Sequence, residues 1–227
     1  MGYTTEFVGR LTLTPPASEE QRDYINLLAR TRRMKRDVSK LMDKYEGEHG
    51  NPFAEDNTPE SIYGKDGEYF ARNDGQYGQL EDGTIIDYNN PPGQLGHEDY
   101  RIMGHNMWNE NQRRINNGEC QPGLWLQWNI SDDCEHLQWN GGEKFSWLPP
   151  WRTNEYEAWL QYLINHFFDK WGINLNGRMR FEGEDPDDRG VIQVRNNVIG
   201  RAEPQRIVSP EDPYGEEDWD TDLDVDY

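Results

Sequence analysis

Apolar and polar residues alternate at the start of the chain. Phe7, Leu11 and Leu13 fall in one phase, with Gly9 between them, and Arg10, Thr12 and Thr14 fall in the other. A period of two predicts a half-buried strand over 4–14, stopped by Pro15-Pro16. Ser18 and Gln21 then stand at capping-box spacing, and Tyr24, Leu27, Leu28 and Thr31 share one face of the helix that should follow. Its far end is expected to carry Arg30, Arg32, Arg33, Lys35 and Arg36, where cations suit the negative end of the helix dipole.

From about 46 to 118 the periodicity dissolves into Gly, Asn, Asp, Tyr and Pro, with turn signals at Asp66-Gly67, Asp74-Gly75 and Asp82-Gly83. One short strand over 84–88 is expected, and the rest of this stretch is read as wrapping the core through its tyrosines. Pattern returns at Gly123. Leu124, Leu126, Trp128 and Ile130 alternate with polar or outward positions, and Leu137 and Trp139 form the second arm of a hairpin across Ser131-Asp132-Asp133. Asn154 and Glu157 mark the start of the strongest helix, whose apolar stripe is Tyr156, Trp159, Leu160, Leu163, Ile164, Phe167 and Trp171, with Gly172 placed for a left-handed C-cap. Ile173, Leu175, Met179 and Phe181 alternate again. An acidic turn then leads into 191–195, and Asn196-Asn197 sits where a two-residue hairpin turn into 198–202 would need it. The order β-α-(loop)-β-β-α-β-β-β predicts an α+β fold, an antiparallel sheet packed on two helices with a long irregular loop region. Residues 1–208 are read as a single domain and 209–227 as a disordered acidic tail.

Charge narrows the partners. The formal net charge is −20, and residues 211–227 hold nine acids and no base, so the remainder stands at −20 + 9 = −11. A chain of that sign lacks the basic surface that displaces counterions from duplex DNA, and it is repelled by anionic lipid. No apolar run approaches the length of a membrane span, the amino terminus carries no signal-peptide pattern, and Cys120 and Cys134 make no disulfide framework. A soluble protein of a reducing cytoplasm is expected, with a basic protein as the partner that complements it.

Several segments resemble a family of small proteins of bacteria and their phages that has no established activity. They are Met1-Gly2-Tyr3-Thr4-Thr5-Glu6-Phe7, Thr31-Arg32-Arg33-Met34-Lys35-Arg36-Asp37, Gln121-Pro122-Gly123-Leu124-Trp125-Leu126-Gln127-Trp128, and Glu182-Gly183-Glu184-Asp185-Pro186-Asp187-Asp188-Arg189-Gly190. The resemblance implies a bacterial host cytoplasm and makes 95–120 an insertion relative to the family.

Candidate chemistry is sparse. Nucleotide-binding glycine patterns, a nucleophile elbow and zinc-protease spacing are all missing, so no cofactor and no conventional catalytic residue is expected. Arg30, Arg32, Arg33, Lys35 and Arg36 form the one concentrated run of positive charge, suited to a nucleotide, a small anion, an acidic partner or the chain's own tail. Glu184, Asp185, Asp187 and Asp188 offer oxygen ligands to a hard cation, and His97 and His105 offer nitrogen ligands, although neither set has recognised metal-site spacing. His166, beside the apolar stripe, is read as a partly buried structural imidazole. The tail alternates acids with Trp219, Leu223, Val225 and Tyr227, a pattern suited to recruiting a basic partner or imitating the charge of nucleic acid. These features favour a non-enzymatic interaction protein that binds a basic host protein, such as a defence or nucleic-acid-handling factor. The alternatives are a small-anion-binding or catalytic module, and a single-strand nucleic-acid binder that stacks bases on whichever of Trp125, Trp128, Trp139, Trp147 and Trp151 are exposed.

Overall fold

A computed structural model describes residues 5–72, 77–87, 125–140, 155–183 and 189–202. Strand β1 (Thr5–Thr14) follows the predicted alternation, with Leu11 and Leu13 buried and Arg10 and Thr12 exposed. Helix α1 (Glu19–Ala29) begins with the predicted capping box: Gln21 N–H donates to Ser18 Oγ at 3.1 Å, and Ser18 N–H donates to Gln21 Oε1 at 2.8 Å.

The helix stops earlier than its basic run. Arg30 is the C-cap, and no basic residue lies in the last turn. The physical reason is tertiary. The Thr31 hydroxyl donates to the Arg72 carbonyl at 2.7 Å, and the Arg72 N–H donates back to it at 2.9 Å. This buried exchange draws residues 31–36 out of the helix and lays them along the 64–72 segment.

Between 38 and 87 the chain holds more structure than its composition advertises. Helix α2 (Val38–Tyr45) starts at Asp37, whose side chain accepts from Lys40 N–H, and α3 (Pro59–Tyr63) starts at Thr58 with Pro59 in the first turn. Strands β2 (Tyr77–Gln79) and β3 (Ile85–Asp87) pair as a small antiparallel hairpin, the second near the predicted 84–88 strand. Leu41, Ile62, Tyr63, Phe70 and Ile85 close a satellite core of their own, while Tyr69 reaches the main core. The tyrosines therefore serve two clusters.

The main sheet is assembled around β1. Strands β4 (Trp128–Ile130), β5 (His136–Trp139), β6 (Asn174–Gly183), β7 (Arg189–Arg195) and β8 (Val198–Ala202) join it in the order β4-β5-β1-β6-β7-β8, with every pairing antiparallel. Asn196 and Asn197 take positive φ of 45° and 66°, the turn predicted between β7 and β8. The long helix runs as α4 (Glu155–Leu163), a π-helical turn (Ile164–Phe168) and α5 (Asp169–Trp171), and it ends on Gly172 at φ 68°. The extra residue of the π turn buries Phe168 beside Phe167 and leaves Trp171 half-buried.

Both helical units cover one face of the sheet. Tyr24, Ile25 and Leu28 of α1, with Trp159, Leu160 and Phe167 of the long helix, join Leu11, Leu137, Leu175, Met179 and Ile192 from the strands in one core. Rings dominate one end of it, where Phe7 lies 4.9 Å from Trp139, 5.0 Å from Tyr156 and 6.3 Å from Trp128. Among the described residues the other face is exposed along β1 and β6, where Val8, Arg10, Thr12, Arg178 and Arg180 all reach solvent.

Candidate functional site

The basic run of the first helix does not form one surface. Arg30 is exposed and lies with Arg22, Asp23, Asn26 and Asp132 in an open depression of about 450 Å³. Lys35 is exposed and pairs with Asp66 at 3.9 Å, and Arg32 is half-buried. Arg33 and Arg36 are buried, at 7% and 2% exposure. The Arg36 guanidinium donates to the carbonyls of Gly67 at 3.0 Å, Arg32 at 3.1 Å and Met34 at 3.2 Å, and it lies 5.1 Å from the Phe70 ring centroid. This cation holds the 31–36 and 64–72 segments together, so two members of the expected anion-binding cluster, Arg33 and Arg36, are buried, while Arg30 and Lys35 remain on the surface.

Arg33 belongs to a second polar group on the same seam. Its guanidinium stands 5.2 Å over the Tyr162 ring, and Tyr162 stacks on His166 with centroids 3.9 Å apart. Burial, with Arg33 and Lys170 adding positive charge, pushes the His166 imidazole down to about 4, and its Nδ1 shares a hydrogen bond with the Tyr69 hydroxyl at 2.5 Å. Burial also raises the Tyr69 phenol and the Glu68 carboxyl. His166 is structural in its contacts, as its place beside the stripe predicts. The ring ties the π turn to the 64–72 segment.

The predicted tail residues Trp219, Leu223, Val225 and Tyr227 lie outside the described residues, as do Glu184, Asp185, Asp187, Asp188, His97 and His105. A different oxygen and nitrogen group, Asp133, Glu135 and His136, converges in the β4–β5 loop. There the Asp133 carboxylate accepts from the Ser131 hydroxyl and Glu135 N–H and faces His136 Nδ1 at 3.3 Å. Those hydrogen bonds hold it down to about 2. Its partners are those of a closed loop. Cys134 in the same loop is a free, buried thiol. Trp128 is fully buried and donates from Nε1 to the Tyr156 carbonyl at 2.9 Å, which removes it as a platform for bases.

Among the described residues a second group of arginines lies on the open face of the sheet, with Glu6 and Glu182 paired at one end of it. Arg10 of β1 lies directly opposite Arg178 of β6, which lies opposite Gln193 of β7; the neighbouring row reads Val8, Arg180, Val191 and Ala202 across four strands. Arg195, opposite Val198, extends the patch toward the β8 edge. Two glycines permit this register. A Cβ on Gly9, at φ 106°, would stand 2.8 Å from the Arg178 carbonyl oxygen, and one on Gly177, at φ 137°, would stand 3.0 Å from that of Arg10. Among the described residues Arg180 pairs with Glu182 at 3.2 Å, and neither Arg10 nor Arg178 makes an ion pair with a carboxylate. Like charges directly opposite on neighbouring strands repel, so this pair favours an anion above it. Val8 and Val198, 68% and 70% exposed, add apolar surface.

The alternation along β1 places Arg10 on the outward phase, and the pairing that sets residue 10 against residue 178 is long-range and lies outside that local pattern. No family model, no curated protein and no solved structure matches this chain.

Proposed function

We propose that the chain is a non-enzymatic interaction protein that binds a basic protein in a bacterial cytoplasm. The observation that carries this reading is its charge: −20 overall, with nine acids and no base in residues 211–227. A concentrated negative segment speeds encounter with a positive partner and disfavours nucleic acid and anionic membrane. The resemblance to small proteins of bacteria and their phages supports a host defence or nucleic-acid-handling factor as that partner.

Two features of the fold support binding over catalysis. Arg33 and Arg36, the core of the competing small-anion site, are buried in contacts with Tyr162 and with backbone carbonyls. His166, the imidazole nearest a catalytic environment, is stacked and hydrogen-bonded on both counts to tyrosines. No helix among the described residues is long and apolar enough to cross a membrane.

The test compares the full chain with a variant carrying Asn at 218, 220, 222, 224 and 226, each immobilised and exposed to bacterial lysate. The reading expects the same small set of basic proteins to be retained by the wild type and lost from the variant. It also expects retention to fall steeply as salt shortens the Debye length from about 10 Å toward 3 Å. Retention that ignores both the substitutions and the salt would overturn it.

A further inference from the structure

We infer that the arginine face of the sheet is the docking site of the chain's own acidic segment, residues 211–227, which lies outside the described residues. The inference concerns the resting state of the protein and does not depend on the partner proposed above.

The first support is electrostatic. Arg10 and Arg178 face each other without a carboxylate partner among the described residues, with Arg195 beside them, while Arg180 is paired with Glu182, which faces Glu6 toward one end of the same face. Such a cluster within a chain of net charge −20 calls for local negative charge. A free polyanion must approach against the repulsion of the whole molecule, whereas a tethered segment has already been brought there by the chain.

The second support is reach. The described chain leaves the sheet at Ala202, in the same cross-strand row as Val191, Arg180 and Val8. Eight residues, 203–210, separate it from the acidic segment. Extended, they span about 26–29 Å, and β1 lies three strand spacings from β8, about 14 Å. The linker is therefore long enough to cross the face, and a short tether holds its ligand at an effective concentration of order millimolar.

The third support is pattern. Asp218, Asp220, Asp222, Asp224 and Asp226 alternate with Trp219, Thr221, Leu223, Val225 and Tyr227. In extended conformation one side of this segment is anionic and the other largely apolar. The face it would meet carries both arginines and the exposed Val8 and Val198. Carboxylate to guanidinium contacts are the charge-assisted pairs with the strongest geometric preference. A basic partner would then compete with the sheet for the tail, so that capture of the tail uncovers the sheet face.

The test keeps the full chain. Leu223 is replaced by the photo-crosslinking residue p-benzoylphenylalanine, the protein is irradiated, and the adducts are mapped by peptide mass spectrometry. Adducts on 5–14 and 174–183 at monomer mass are expected. Their yield should drop roughly tenfold at about 1 M salt, where the Debye length is near 3 Å, and drop similarly in the R10Q/R178Q/R180Q variant. Adducts confined to other segments, adducts only at dimer mass, or a yield that ignores salt would overturn the inference. Should the triple variant fail to fold, adduct position, mass and salt dependence in the otherwise wild-type chain still decide. A labelled single-stranded oligonucleotide is titrated into the same sample. If it binds through these arginines without lowering the adduct yield, the face belongs to nucleic acid and the inference fails.

Discussion

Arg36 is a buried cation whose guanidinium donates to three backbone carbonyls. Replacing it with Met would keep much of the stem's packing against Phe70 and leave the Gly67, Arg32 and Met34 carbonyls without their donor. A loss of about 3 kcal/mol is expected in urea denaturation, against a change within about 0.5 kcal/mol for Arg30→Ala on the exposed surface. His166 makes a pH prediction. Its folded value, about 4, lies below the ordinary 6.5, so between these values the unfolded chain binds more protons than the folded one. Its contribution is complete above pH 6.5 and is lost as pH falls toward 4. Glu68, raised by burial, works in the opposite sense over the acid range. In His166→Phe, which keeps the ring against Tyr162, the stability difference between pH 7 and pH 5 should shrink by about 1–2 kcal/mol. An unchanged difference would mean that the imidazole titrates normally.

At the scale of elements, the β7–β8 turn is tied to the end of the long helix by one side chain. Asn197 Oδ1 accepts from Leu175 N–H at 2.6 Å, and its Nδ2 donates to the Ile173 carbonyl at 2.8 Å and Asp169 Oδ1 at 2.7 Å. The residue also holds φ of 66°. Asn197→Gly keeps the backbone freedom and removes the clamp, while Asn197→Ala loses both. Costs of about 1–2 and 2–3 kcal/mol respectively are expected from thermal unfolding, in that order. The π turn upstream sets Phe167 and Phe168 into the core while His166 still reaches Tyr69 in the 64–72 segment. Caps were the most readable features at this scale, since Ser18 and Gln21 act through three residues of local chain. Asp37 and Thr58-Pro59 carried the same kind of signal for α2 and α3, within a stretch whose polar composition masked it.

At the scale of the whole molecule, the described residues form two cores of unequal size. Leu41, Ile62, Tyr63, Phe70 and Ile85 form the smaller, and the larger joins the sheet to α1 and the long helix. Leu41→Ala should accelerate amide exchange in α2, α3 and the β2–β3 hairpin while leaving the β6 amides protected. Leu175→Ala, in the larger core, should cost about 2–5 kcal/mol and lower protection throughout. Equal acceleration everywhere in Leu41→Ala would show that the two clusters unfold as one. The charge of the molecule is likewise divided, with arginines gathered on the open sheet face of a chain that is acidic overall.

The sequence alone determined the β1 and β6 alternation, the α1 cap, the apolar stripe of the long helix, the Asn196-Asn197 turn and the antiparallel α+β order, because each is written in residues within a few positions of one another. Tertiary structure decided what the arginines do. Thr31 leaves the helix where Arg72 offers it hydrogen bonds from 41 residues away, and Arg33 and Arg36 of the predicted basic helix end become buried framework while Arg30 and Lys35 stay exposed. Arg10 and Arg178 become neighbours only when β1 and β6 pair across close-approaching glycines. Local pattern fixes which face of a strand a side chain occupies. Which other strand's charges share that face is set by long-range pairing, which a period of two does not encode.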